Sequence, residues 1–265
     1  MAKLQQKSFQ ILERPNYGYD FGGYRDGVLH ILEQGVDLHN LFVMNDSVWL
    51  PVHRDSDPVF EALNSSDDLY GISYFEHLRK PHLSHVQSYF FRFGPKILSD
   101  DFFIQVWREL PLSNIRNTVI RKCEMCVTEA FRSRGFSVGT WSDMREVNKM
   151  IGTLSDQELN EMVDYLSNIT LRHKEILKSV RELRDKGKDW RSELERLIED
   201  NSLIIPFLIH WPGFTFKVMN IPVLKKDRSE PYRLQRSALK SMNFKRFVNT
   251  EIASEIETWD DFAGT

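Results

Sequence analysis

Hydrophobic and polar positions along the first 141 residues fall into short blocks whose period switches between strand and helix. Phe9 to Leu12 (FQIL) is a short apolar run that predicts a strand. The segment RPNYGYDFGG follows, and Pro15, Gly18, Gly22 and Gly23 mark it as a loop. YRDGVLHILEQG then places Tyr24, Val28, Leu29 and Leu32 at helical spacing, with Gly35 as a stop. LFVMND (Leu41 to Asp46) is a continuous apolar run ending in polar residues, the pattern of a buried parallel strand. DPVFEALN predicts a short helix, LYGISYF a strand, and SHVQSYFFRF a β-rich stretch with too many aromatics to be fully exposed. DDFFIQVWREL predicts a helix capped by Ser99 or Asp100. From Ile115 to Arg134, the positions Val119, Ile120, Cys123, Val127, Ala130 and Phe131 keep a helical period. Gly135 ends that helix, and FSVGTW predicts one more strand.

The character changes after Trp141. Residues 142–200 are helical in pattern and heavily charged, and Ile169, Leu171, Ile176, Leu177, Val180 and Leu183 form an amphipathic stripe. A helical hairpin packed on the domain explains this stripe, and so does a helix that docks on a partner or a membrane surface. The tail from Asn201 is aromatic and Pro-rich, then polar. The expected organisation is therefore an α/β domain over residues 1–141 and a helical extension with a C-terminal segment over 142–265. Alternating strands and helices with short loops predict a mostly parallel sheet. Ligands of such sheets bind at the carboxyl ends of strands. That rule selects two loops, the one after FQIL and the one after LFVM.

Composition narrows the partners. The net charge of −3, with acidic and basic residues interleaved, gives no pull toward nucleic acid or an anionic membrane. The strongest apolar run, Leu203 to Ile209, contains Pro206 and is far shorter than the ~20 residues of a membrane span. MAKLQQKSFQ has no apolar core of a signal peptide, which predicts a cytosolic chain. Cys123 and Cys126 form a C-x-x-C inside a helical pattern. No second pair completes a zinc site, so plain reduced thiols are expected rather than a redox centre.

Three elements could carry chemistry. The first loop holds Asn16, Asp20 and the glycines that let backbone approach a ligand; a helix N-cap explains Asp20 as well. The second holds Asn45, Asp46 and Ser47, followed by Trp49. A carboxylate there could ligate a divalent metal or simply belong to a polar turn. The third is Glu124, at the edge of an apolar helical stripe. It is suited to general-base work, although a surface glutamate fits the same pattern. Glu129 lies on a different side of that helix.

The order of these elements resembles the rhamnan synthesis protein F family. The likeness is carried by N-Y-G-Y-D-F-G-G-Y-R-D-G (Asn16 to Gly27), F-V-M-N-D-S-V-W-L-P (Phe42 to Pro51), D-L-Y-G-I (Asp68 to Ile72), H-V-Q-S-Y-F-F-R-F (His85 to Phe93) and the Glu124 helix ending R-S-R-G-F. It is specific from about Phe9 to Trp141, looser for P-F-L-I-H-W-P-G-F-T-F-K (Pro206 to Lys217), and weak or absent in the charged helices. The resemblance implies a GT-A-like fold, here N-terminally incomplete, and an inverting glycosyltransferase of rhamnan, O-antigen or capsule assembly. It implies that Asp20 and Asn16 contact a nucleotide-sugar and that Asn45, Asp46 and Ser47 stand where the family of folds carries a metal-binding D-x-D. Asp46 would then hold Mg2+ or Mn2+. It further implies that Trp49, Gln87, Ser88 and Tyr89 line the acceptor side, that Glu124 deprotonates the acceptor hydroxyl, and that His210 and Lys217 reach the diphosphate. The acceptor would be lipid-linked or a polysaccharide. The setting would be the cytoplasm, at the inner face of the plasma membrane or in a synthase complex. A catalytically degenerate member that binds glycan or scaffolds such a complex fits the same residues, and so does a helical interaction protein.

Overall fold

The computed structural model describes residues 8–77, 80–142, 149–200, 203 and 207–261. Seven strands lie among them: β1 (Leu41–Met44), β2 (Val48–Trp49), β3 (Leu69–Phe75), β4 (His85–Val86), β5 (Phe90–Phe93), β6 (Val138–Ser142) and β7 (Leu224–Lys225). Five form one sheet in the order β1-β5-β3-β4, with β6 also on β3. β2 and β7 form a separate ribbon.

The sheet is mixed, not mostly parallel. β5 runs antiparallel to β1, from Leu41↔Phe93 to Met44↔Phe90, and antiparallel to β3, from Leu69↔Phe93 to Gly71↔Phe91. β3 and β6 advance together: the Leu69 amide donates to the Ser137 carbonyl at 3.0 Å, and the Ser142 hydroxyl to the Ile72 carbonyl at 3.3 Å. The physical reason lies in the connection from β3 to β5. A parallel return needs a crossover of about a dozen residues or more, usually helical. Between Phe75 and Phe90 the described residues hold only β4 and the one-turn helix Pro81–Leu83, so the chain turns back antiparallel. Gly71 permits the close strand approach this requires, because a Cβ there would collide with the Val86 side chain.

The chain divides into two compact units. The first comprises Met1–Asn45, Ser65–Gly71 and Glu76–Gly139, and the second Asp46–Asn64, Ile72–Phe75 and Thr140–Thr265. Segment 46–64, which the sequence pattern groups with the α/β domain, thus clusters with the C-terminal half. The first unit has an aromatic core. The Phe93 ring meets Phe103 at 5.2 Å, Phe131 at 5.6 Å and Trp107 at 5.8 Å, and all four are buried. Asp100, one of the two caps expected, accepts from the Phe102 amide at 2.8 Å and starts the helix Asp101–Arg108. FQIL forms no strand: residues 8–12 are irregular and exposed, Phe9 fully so, since an apolar run without a strand to pair with has nothing to hold it extended.

In the second unit the charged region does fold into helices: Asp156–Ile169, Leu171–Ile176, Lys178–Asp185 and Arg191–Glu199. Ser155 and Glu158 form a reciprocal capping box at the first start, and Thr170 breaks the run and caps the next helix through the His173 amide. Ile176, Leu177 and Val180 of the stripe pack on a core with Leu159, Met162, Leu166 and Phe214, and Ile169 is buried, but Leu171 is exposed. The polar tail adds helices Glu230–Ser241 and Thr250–Trp259, which close a second core over Trp49, Phe216 and Leu224. The MAKLQQK start and residues 204–206 of the Leu203 to Ile209 run lie outside the described residues.

Candidate functional site

The first loop ends in two consecutive left-handed residues, Gly18 (φ 83°) and Tyr19 (φ 51°). At Gly18 any side chain would be strained and would press on Leu112. Tyr19 is a non-glycine residue held there by its phenol, which donates to the Asn114 carbonyl at 3.1 Å. Tyr17 likewise donates to the Leu112 carbonyl at 2.9 Å. Backbone strain of this kind persists only where surrounding contacts enforce it, and it concentrates at functional loops. The helix Tyr19–Glu33 starts here with Gly18 as N-cap, so Asp20 sits in the first turn and is not the cap. Its carboxylate faces the positive end of the helix dipole, exposed to solvent.

Asp20 is tied to the end of β1. The Asn45 side-chain amide donates to Asp20 Oδ2 at 2.9 Å, and the Asn45 backbone amide to the Tyr89 carbonyl at 3.4 Å. One residue before Tyr89, the Ser88 hydroxyl donates to Glu124 Oε1 at 2.8 Å, and its amide to the same oxygen at 3.3 Å. Tyr24, one turn beyond Asp20 on the same helix, donates its phenol to the Ser88 carbonyl at 2.8 Å in a buried bond. Helix Tyr19–Glu33, the end of β1, the β4–β5 connection and the Glu124 helix therefore share one hydrogen-bond network. It brings Asp20, Asn45, Ser88 and Glu124 together within the first unit.

Glu124 closes a π-helical turn, Ile120–Glu124, set between helices Arg116–Val119 and Met125–Ser133. The sequence pattern predicts uninterrupted α-helix there; the wider turn is the difference. Such turns recur at functional sites because they re-aim a side chain without ending the helix. Thr128, four residues on, takes the Val86 amide on its hydroxyl at 3.0 Å, so Thr128 and Glu124 grip alternate residues, Val86 at the end of β4 and Ser88 in the connection that follows. Glu124 is half-buried, and its Oε2 takes no hydrogen bond from the described residues. Gln87, which precedes Ser88 in sequence, is half-buried. His85 has Nδ1 on the Leu83 carbonyl at 2.8 Å, so its Nε2 accepts from the Gln87 amide at 3.3 Å. Glu129 is occupied by an ion pair with Arg132.

Other candidates sit elsewhere. Asn16 is exposed in the loop before the helix. Asp46, Ser47 and Trp49 belong to the second unit. Trp49 is 3% exposed, edge-on to Trp259 at 5.2 Å, so it is a core residue and offers no face to an acceptor. Tyr89 is likewise buried, at 2%. His210 is 1% exposed against Phe214; burial, reinforced by His173 and partly offset by the Trp211 backbone, pushes its pKa down to about 3. A neutral, enclosed imidazole cannot reach a diphosphate. Lys217 is exposed at the end of helix Pro212–Lys217. Two clefts, one of about 210 Å3 lined by Phe102, Cys126 and Val127 and one of about 230 Å3 lined by Leu159, Leu194 and Ile198, contain none of these residues.

No group of three His, Cys, Asp or Glu side chains that could hold an ion occurs among the described residues, and Asp46 is a single exposed carboxylate. Both cysteines are free thiols. Burial raises Cys123 to about 11, leaving almost no thiolate at neutral pH, whereas Cys126 is exposed and donates to the Arg121 carbonyl at 3.2 Å.

Sequence reasoning missed Tyr24 and Lys225. Tyr24 was legible from its i, i+4 spacing to Asp20. Lys225, whose ammonium donates to the Ser47 hydroxyl at 2.8 Å, depends on a strand pairing almost 180 residues apart that no local pattern signals.

These features define the class: an α/β protein with a mixed sheet whose strand ends gather acidic side chains on a shared polar network. The model of the rhamnan synthesis protein F family matches residues 1–184, and the chain belongs to that family. The chain is also 31% identical over 259 residues to the uncharacterized protein y4gN of Sinorhizobium fredii (strain NBRC 101917 / NGR234), which covers 97% of this chain and 67% of that one. No solved structure matches. The family match runs well past Trp141, so the likeness takes in the charged helices up to residue 184 that the motifs alone do not cover. Membership ties the chain to rhamnan and polysaccharide synthesis. No helix among the described residues is long and apolar enough to cross a membrane.

Proposed function

We propose that this chain is an inverting glycosyltransferase that moves a sugar, rhamnose or a related deoxysugar, from a nucleotide-sugar to a hydroxyl of a growing cell-surface polysaccharide. The observation that supports it best is the Ser88–Glu124 pair. One carboxylate oxygen is pinned by two donors and the other is left open, which is what a base for a sugar hydroxyl requires. Glu124 Oε2 takes the acceptor's proton as its oxygen forms the new bond to the anomeric carbon. The bond from that carbon to the diphosphate breaks on the opposite face, and the nucleoside diphosphate leaves with the electron pair. Asp20, fixed by Asn45, accepts hydrogen bonds from donor hydroxyls and holds the sugar in the attack geometry. The Gln87 side-chain nitrogen bonds His85, and in this reading its carbonyl oxygen accepts from acceptor hydroxyls. A GT-A-like arrangement and work at the inner membrane face belong to the same reading.

The decisive substitution is Glu124→Gln, which keeps shape and removes the base. Transfer falls by about 10²–10⁴, the usual worth of a positioned base, while nucleotide-sugar binding stays within a few fold. Equal loss of binding and transfer would make Glu124 structural. Unchanged transfer would end its role as base.

A further inference from the structure

Val86 is fixed from two sides within the first unit. Its side chain sits where a Cβ of Gly71 would stand on the neighbouring strand β3, and its amide donates to the Thr128 hydroxyl at 3.0 Å in a buried bond. Thr128 itself has no exposure. Threonine is a poor residue for a helix interior, because its hydroxyl offers the backbone an alternative to helical hydrogen bonds. Here the hydroxyl reaches off the helix Met125–Ser133 to the end of β4.

Glu124 and Thr128 stand four residues apart, so they share one face of their helix. Four residues of helix rise about 6 Å, and two residues of extended chain span about 6.6 Å. The helical spacing therefore matches the step from Val86 to Ser88. The two side chains form a ladder of two rungs: Thr128 on the Val86 amide, and Glu124 Oε1 on the Ser88 hydroxyl at 2.8 Å and the Ser88 amide at 3.3 Å. Thr128 lies in the α-helical segment that starts at Met125, whereas the residues up to Glu124 form the π-helical turn. The register of that segment on β4 fixes where Glu124, the residue just before it, stands. We propose that Thr128 is a positioning residue for Glu124. By holding the Val86 amide it seats the helix so that one carboxylate oxygen meets Ser88 and the other stays open. Thr128 touches no substrate. That the open oxygen serves an acceptor hydroxyl rests on the transferase reading given above; the placement of Glu124 by Thr128 does not.

The test uses the whole chain and two readouts. The first needs no substrate: hydrogen exchange of individual backbone amides, followed by NMR, which reports local opening. Thr128→Val keeps the shape and removes the hydroxyl. In this variant the Ser88 amide is expected to exchange roughly tenfold faster or more, while the amides of β1 and β5 keep their rates. Thr128→Ser restores the hydroxyl and brings Ser88 back to within about threefold of wild type. Circular dichroism checks folding, and Thr128→Ala stands in if the valine variant does not fold. An unchanged Ser88 amide in the folded variant, or a rise that serine does not reverse, overturns the positioning role. The second readout is release of nucleoside diphosphate from UDP- and dTDP-sugars in the presence of rhamnose oligosaccharides. Thr128→Val lowers kcat about tenfold with the donor KM within a few fold, and it costs nothing further in a Glu124→Gln background, where no base is left to position. A further loss in that background makes Thr128 merely structural and overturns the proposal. A wild type that releases no diphosphate, or a Glu124→Gln variant that matches it, overturns the transferase reading; a Ser88 amide that responds to Thr128 still upholds the placement of Glu124.

Discussion

Arg236 offers a test of how the second unit is held together that is independent of any activity. Its guanidinium has no exposure, and it makes four hydrogen bonds, two to the Asp260 carboxylate at 2.6 and 2.9 Å and two to the Lys225 and Asp227 carbonyls. These bonds tie helix Glu230–Ser241, β7 and the end of helix Thr250–Trp259 into one body. Arg236→Met fills most of the volume but leaves a carboxylate and two carbonyls without their donor. Breaking a buried pair from one side costs about 3–5 kcal/mol. Asp260 keeps 20% of its side chain in solvent, which places the expectation at the lower end, roughly 3 kcal/mol. At ~2–4 °C per kcal/mol for a chain of this size, melting falls by about 6–12 °C. Urea unfolding followed by tryptophan fluorescence is a suitable assay, since Trp49 and Trp259 pack edge to face on the Lys226 side of the same unit. The control is Arg236→Met/Asp260→Leu: removing both partners should recover much of the loss, because the cost lies in the stranded charge. A single variant within about 1 kcal/mol of wild type, or a double variant whose losses simply add, would refute this account.

Four further outcomes follow from the geometry. Ser88→Ala removes the charge-assisted bond to Glu124, worth roughly 1–2 kcal/mol at a half-buried site, and turnover should drop about tenfold with donor binding unchanged; a shift in donor affinity alone would contradict it. Tyr24→Phe deletes a buried phenol bond to the Ser88 carbonyl and should lower stability by about 1 kcal/mol in urea, together with turnover. Burial alone would raise the carboxyls of Asp68 and Asp260, but the Lys96 ammonium and Ser137 for the first, and Arg236 for the second, hold both below 3.8. Groups lowered in this way stabilise the fold above that pH and lose their contribution as pH falls through their folded values, so unfolding midpoints should decline below about pH 4 and decline less in Arg236→Met. At pH 8 an aromatic disulfide reagent should modify one thiol per chain, Cys126, while Cys123, with its pKa near 11, reacts only on unfolding; prompt reaction of both would show the helix to be open.

Much of the secondary structure is legible in the sequence because it is set by local chemistry. LFVM and LYGISYF become β1 and β3, the Gly35 and Gly135 stops hold, and Asp100 caps its helix as the pattern predicts. Strand direction was not legible. It depends on whether the chain crosses over or doubles back between β3 and β5, and a connection containing one short 3-10 turn reads in sequence like any loop. FQIL shows the opposite failure, since apolar content is necessary for a strand but a partner is what makes one. The aromatic residues were hardest to place. Trp49, Tyr89 and His210 have the composition of a sugar-binding face and the burial of a core, and only packing decides between the two.

The site itself was partly legible, for a reason that bears on how far such readings can go. Asn45 follows the end of β1, where the strand-end rule looks for ligand-binding residues, whereas the strand that selected the Asp20 loop does not form, and Asp20 meets Asn45 from the first turn of its own helix. Glu124 could be found only as a residue on a helix, because what distinguishes it from Glu129 is tertiary. Both lie within one turn or two of the same buried stripe of Cys123, Val127 and Phe131. Glu129 turns to an arginine three residues along its own helix, a partner the sequence could supply. Glu124 instead meets Ser88, a partner 36 residues away, and the π-helical turn ending at Glu124 sets its direction. A carboxylate satisfied locally has little left to give to a substrate. One aimed by the fold at a distant donor, with its second oxygen open, has been placed there by interactions that its own helix does not need, which is why Glu124 and not Glu129 is the residue to change first.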